Sequence, residues 1–150
     1  MIIRKATVND IPGIKSIIDI YAKQEMMLPR SLSELYEFTR SFCVCEIDNE
    51  IIGCCALQVS WEDMAEVMSF AVRSEYRDQG IGTKLVSTSL EEAKALGINS
   101  VFTLTYAVPF FEKQGFKTID KQLLPHKIWS GCIKCPKFPN CDEVAMLKDV

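Results

Sequence analysis

Arg77-Asp78-Gln79-Gly80-Ile81-Gly82 is the stretch that decides how this chain is read. An apolar, strand-like run from Met64 to Val72 precedes it. After it, Ile81, Leu85, Val86, Leu90, Ala93 and Leu96 recur at helical spacing, and Gly97 is placed to end the helix. The glycines thus lie where a strand hands over to a helix. Glycine lets the backbone approach a ligand closely and take positive φ. The first N–H groups of a helix lack internal acceptors and carry partial positive charge, so the turn is suited to phosphate. A tight turn with no ligand fits the same letters. The stretch is not a nucleotide P-loop, because no Gly-Lys-Ser/Thr follows. Nor is it a dinucleotide fingerprint, which needs three glycines in an early βαβ unit.

Outward from the loop, the rest of the chain falls into short elements. Ile2 to Ala6 reads as a first strand. Pro12 near a helix start and Ile14, Ile17, Ile18 and Tyr21 at helical spacing predict a helix over about 10–24. Ser31-Leu32-Ser33-Glu34 is a capping box, continued by Leu35 and Phe38 as a second short helix. Residues 42–47 and 51–60 read as a hairpin turned by Asp48-Asn49-Glu50. Residues 98–105 form a β-branched-rich strand, and 109–114 a short helix stopped by Gly115. Strand is expected again from Phe116 and at 144–147. A meander followed by alternating strands and helices predicts a mixed α/β sheet, with the 64–72 and 98–105 strands parallel across a helical crossover.

Bulk properties narrow the function. The chain has 150 residues, expected to form one domain, and a net charge of −3 that disfavours nucleic acid and anionic membranes as partners. No apolar run reaches the roughly 18 residues of a membrane span, and the N-terminal stretch is too short for a signal peptide. A cytoplasmic protein is the expectation. Of seven cysteines, Cys43, Cys45, Cys54 and Cys55 lie in apolar strands and read as buried small hydrophobes. Cys132, Cys135 and Cys141 cluster in a polar tail with His126 nearby. Zinc, a functional disulfide or a reduced packed flap are open readings there, and no metal site is assigned.

The run from Ser69 to Leu85 resembles the central motif of the GNAT superfamily of acyl-CoA N-acyltransferases, Gln/Arg-x-x-Gly-x-Gly/Ala after a V-x-P-x-Y-R-like segment. Ser74 stands where proline is common. Pro109-Phe110-Phe111-Glu112-Lys113-Gln114-Gly115-Phe116 resembles the second signature. The resemblance implies a mostly antiparallel sheet with one parallel pair, flanked by helices, and acetyl-CoA as co-substrate. It implies that main-chain groups of Phe70 and Val72, with Ala71 between them, pair with the pantetheine arm. It further implies that Arg77 and the N–H groups of Gln79, Gly80, Ile81, Gly82, Thr83 and Lys84 hold the pyrophosphate, and that Phe111 packs near the thioester. Many family members have tyrosine as general acid where this chain has Phe111. Tyr106 or Thr105 are substitutes, and a thiolate can also leave unaided.

Within the superfamily the chain is most similar to the acetyltransferase domain of the N-acetylglutamate synthases, of the short stand-alone type. Met27-Leu28-Pro29-Arg30-Ser31 resembles the segment whose arginine binds the substrate carboxylate. Residues 53–58, 66–72 and 101–105 match in type as well. The resemblance places a general base at Glu66, a hydroxyl near the reacting amine at Thr105, and substrate contacts at Arg30, Gln58 and Ser69. Glu66 also stands out without it, as a carboxylate in an apolar strand, in phase with Met68 and Phe70. Gln58 replaces a lysine found in some synthases. Lys127, Lys134 or Lys137 are candidates to complete the site. The acceptor expected is a small amine, L-glutamate, with other amino acids, amines or a protein N-terminus as alternatives and a non-catalytic acetyl-CoA-binding module as a further one. Homodimer formation and arginine inhibition are left open.

Overall fold

The computed structural model describes residues 1–124 and 142–150. Seven strands form one sheet: β1 (Ile2–Lys5), β2 (Phe42–Ile47), β3 (Glu50–Trp61), β4 (Met64–Val72), β5 (Ser100–Thr105), β6 (Lys117–Thr118) and β7 (Val144–Asp149). Their order is β1-β2-β3-β4-β5-β7-β6, and among the described residues only β4 and β5 run parallel. Helices α1 (Ile11–Lys23) and α2 (Leu32–Glu37) cover one face. Helices α3 (Ile81–Ala95) and α4 (Val108–Lys113) belong to the core on the other. Among the described residues, no helix is long and apolar enough to cross a membrane.

Local chemistry explains the elements. Ile11, Ile14, Ile17 and Ile18 are fully buried, the apolar stripe that seats α1. Arg4 clamps Asp10 at the head of α1 with bonds of 2.7 and 2.9 Å, and this holds the Asp10 carboxyl below its usual range. Asp48 and Asn49 both have positive φ, the two-residue turn whose twist suits a hairpin. Gly97 (φ +85°) and Gly115 (φ +94°) end α3 and α4. Each is followed by the paired backbone bonds of a Schellman cap, Ile98 N to Ala93 O and Phe116 N to Phe111 O among them. The strand expected from Phe116 is only two residues long. Cys43, Cys45, Cys54 and Cys55 are free and buried, as hydrophobes. His126, Cys132, Cys135, Cys141, Lys127, Lys134 and Lys137 lie outside the described residues.

Candidate active site

The site lies where the one parallel pair comes apart. β4 and β5 are in register at Met64–Ser100, Ala65–Val101 and Glu66–Phe102, and the pairing ends there. Beyond it the Thr103 hydroxyl, not a ladder amide, reaches the Val67 carbonyl at 2.9 Å. The opposite edge of β4 stays bound to β3 through Cys54–Ala71 and Gly53–Val72. In β4 two residues, Ser69 and Phe70, oppose the single residue Cys55. Ser69 takes φ +51° in this bulge, and Cys54 Sγ donates to its carbonyl at 3.4 Å.

The bulge corrects one expectation. Glu66 and Met68 share a face, but Phe70 does not continue it. Met68 packs with the α1–α2 core, whereas Phe70 packs with the α3–α4 core, because the extra residue reverses the alternation. Glu66 and Phe70 therefore lie on opposite faces of one strand.

On the α1–α2 side, three expected residues come together. Gln58 on β3 is the cross-strand partner of Glu66. Arg30, in the segment before α2, reaches the same face, with Nη2 3.5 Å from Met68 Sδ. Its side chain is 10% exposed, and Nη1 lies 3.7 Å from Glu34. Its Nε is buried with no hydrogen-bond partner among the described residues. Lys15 Nζ fixes the Arg30 carbonyl at 2.7 Å and pairs with Asp19 at 2.8 Å. Burial pushes Glu66 up to about 7; Arg30 opposes the shift and Glu143 adds to it. Glu143 escaped notice in the sequence. It precedes β7, opposite the end of β5, where Tyr106 donates to Asp142 at 2.6 Å.

Thr105 is not brought to this group. Its side chain is buried, shares the parity of Val101 on the α3 face, and accepts the Ala107 N–H at 2.8 Å. Ser69 contributes the bulge backbone.

The loop after β4 meets the expectation in form. Gly80, with φ +79°, is the N-cap of α3, and among the described residues no side chain caps the helix. A Cβ at Gly80 would meet nothing, so this glycine serves conformation and leaves its surface open. Gly82 serves packing: a Cβ there would lie 2.9 Å from Phe70 Cζ and 3.3 Å from the Phe110 ring. The N–H groups of Ile81, Gly82 and Thr83 have no acceptor in the helix. Lys84 departs from expectation, since its N–H donates to Gly80 O at 3.1 Å and leaves the main-chain cradle. Phe111 is 1% exposed, edge-on to Phe70, Phe110 and Phe116. The ring stacked on Phe70 beside Gly82 is Phe110, centroids 5.1 Å apart.

A splayed parallel pair, a bulged strand and a helix with two glycines at its start follow one another along β4 and the turn after it. Residues 14–116 match the acetyltransferase (GNAT) family. The chain belongs to that family. It is 40% identical over 146 residues to an uncharacterized N-acetyltransferase of Chlorobaculum tepidum, spanning 97% of this chain and 94% of that one. It is 35% identical to the amino-acid acetyltransferase of Mycobacterium tuberculosis over 79% of this chain and 70% of the relative. The N-acetylglutamate synthase of Neisseria gonorrhoeae, solved with coenzyme A and N-acetyl-glutamate, superposes with a TM-score of 0.90 at 26% identity. That match covers 99% of this chain and 34% of the synthase. This GNAT enzyme is an N-acetyltransferase. Its fold has the expected mixed sheet with one parallel pair.

Proposed function

We propose that the protein transfers the acetyl group of acetyl-CoA to the α-amino group of L-glutamate. The observation that carries the acceptor is Arg30, a nearly buried guanidinium whose Nε has no partner among the described residues, on the face that holds Gln58 and Glu66. A buried donor without an acceptor is costly, and a substrate carboxylate would satisfy it with a charge-assisted bond. The relatives named amino-acid acetyltransferase point the same way.

The donor would lie in the gap between β4 and β5. Main-chain groups of Phe70 and Val72 face it, and its pyrophosphate would rest on the N–H groups from Gln79 to Thr83. Phe111 would shape that wall from behind Phe70 and Phe110. Glu66 accepts a proton from the acceptor ammonium, directly or through a water, and its raised proton affinity suits that exchange near neutral pH. The neutral amine attacks the thioester carbon, the C–N bond forms, the C–S bond breaks, and the thiolate takes up a proton. A main-chain N–H on the open edge of β4 would steady the oxyanion. Arg30→Ala should raise KM for glutamate by 10-fold or more, an effect of about 1.5–3 kcal/mol for a hydrogen bond to a charged group. Initial rates of thiol release against glutamate concentration measure it; an unchanged KM would refute the role of Arg30.

A second acceptor is favoured by one residue. Gln58, beside Glu66, is uncharged, which suits an amino acid whose side chain carries no charge, such as glutamine. Relative kcat/KM for glutamate and glutamine separates the two readings.

A further inference from the structure

Tyr21 lies near the end of α1, far in sequence from both family signatures, yet it touches the cofactor side of the site. Its hydroxyl donates to the Val72 carbonyl, on the edge of β4 that faces the gap. The same hydroxyl accepts from Arg77 Nη2 at 3.2 Å. The Arg77 guanidinium also lies 5.8 Å from the centre of the Tyr21 ring, in cation–π range. One hydroxyl thus uses its single proton on the strand and its lone pair on the loop. The result is a continuous chain from the open strand edge, through Tyr21, to the first residue of the glycine loop.

The loop needs such a tie. Asp78 (φ +62°) and Gly80 (φ +79°) hold left-handed conformations, and residues 77–80 are exposed. Among the described residues no other side-chain hydrogen bond reaches residues 77–80. Arg77 is also exposed, so without Tyr21 its guanidinium would sample many rotamers. A loop that must be ordered by its ligand binds more weakly than one already in place.

We propose that Tyr21 is a positioning residue for the cofactor: it aligns Arg77 and the glycine loop for the phosphates of coenzyme A. This rests on the reading of residues 77–83 as the pyrophosphate site. It also assigns Arg77 a fixed orientation, with its positive charge held beside the strand that the pantetheine arm follows.

Tyr21→Phe removes the hydroxyl and keeps the ring, so the packing of α1 is preserved. Isothermal titration of the full chain with coenzyme A and with pantetheine, which lacks the phosphates, tests the proposal. Loss of one hydrogen bond to a charged group corresponds to about 10-fold or more in affinity. Coenzyme A should bind Tyr21→Phe more weakly by about 10-fold or more, while pantetheine loses no affinity, since the substitution only frees the Val72 carbonyl on the edge that the arm follows. Adding Tyr21→Phe to Arg77→Ala, a truncation at an exposed position, should cost less than twofold further. Equal losses for the two ligands, unchanged coenzyme A affinity, or full additivity with Arg77→Ala would each overturn the proposal. Should the unmodified protein bind pantetheine as tightly as coenzyme A, the pyrophosphate reading itself would fall, an outcome distinct from a silent Tyr21→Phe.

Discussion

Glu66, the proposed base, sits in surroundings that resist its charge. Burial raises its proton affinity from the ordinary 4.5 to about 7, against the pull of Arg30 and with the push of Glu143. A base must be ionised to act, so kcat/KM should fall as pH drops below about 7. Arg30→Met removes the nearby cation and should move that acid limb to higher pH. Glu143→Gln removes a like charge and should move it to lower pH. Full pH–rate profiles of both variants check the signs, and shifts in the reverse directions would remove Glu66 from the role. Glu66 was legible in the sequence because a carboxylate interrupts an apolar strand. Tyr21 and Glu143 were not, because their contacts depend on how α1 and β7 are laid against β4. No local pattern encodes such placement. Thr105 shows the opposite failure: the right type of residue in the right strand points to the other face.

At the scale of elements, the glycine loop was readable and its internal division of labour was not. Both glycines belong to one motif, but Gly80 answers a dihedral requirement and Gly82 a packing one. Their substitutions should differ accordingly. Gly80→Ala meets no neighbour and should cost about 1 kcal/mol of stability from its left-handed backbone. Gly82→Ala drives a methyl into Phe70 and Phe110 and should cost about 1–3 kcal/mol by displacing the ring pair under the loop. Urea denaturation measures both, and equal costs would contradict the assignment. The bulge at Ser69 was hidden for a similar reason. Alternation in β4 predicts Phe70 in phase with Glu66, and only pairing with Cys54 and Ala56 shows the extra residue. At the head of α1, the Asp10 carboxylate accepts the Thr7 N–H at 2.7 Å, and Arg4 holds it ionised. Its stability contribution is complete above the ordinary aspartate pKa and is lost as pH falls through the lowered folded value. Asp10→Ala should therefore destabilise the protein by about 2–3 kcal/mol at neutral pH and by much less in strong acid.

For the molecule as a whole, the crossover through α3 and the parallel β4–β5 pair follow from element order, and both were foreseen. The insertion of β7 between β5 and β6 was not, since a late strand's position depends on which edge remains open. The whole also carries a conflict between site and stability. A raised carboxyl pKa stabilises the fold below its unfolded value, and that contribution is lost as pH rises through about 7. Glu66→Gln should therefore gain stability over the parent above pH 7, by roughly 3 kcal/mol, while losing most activity. Thermal melts from pH 4.5 to 8.5 test this, and parallel curves for the two proteins would contradict it. The central claim concerns what the assembled surface acetylates. The direct measurement is initial-rate thiol release from acetyl-CoA with L-glutamate, L-aspartate, L-glutamine and spermidine as acceptors, with the product confirmed by mass spectrometry. The arrangement of Arg30, Gln58 and Glu66 predicts the highest kcat/KM for L-glutamate and formation of N-acetyl-L-glutamate. Efficient acetylation of spermidine with glutamate left untouched would contradict it.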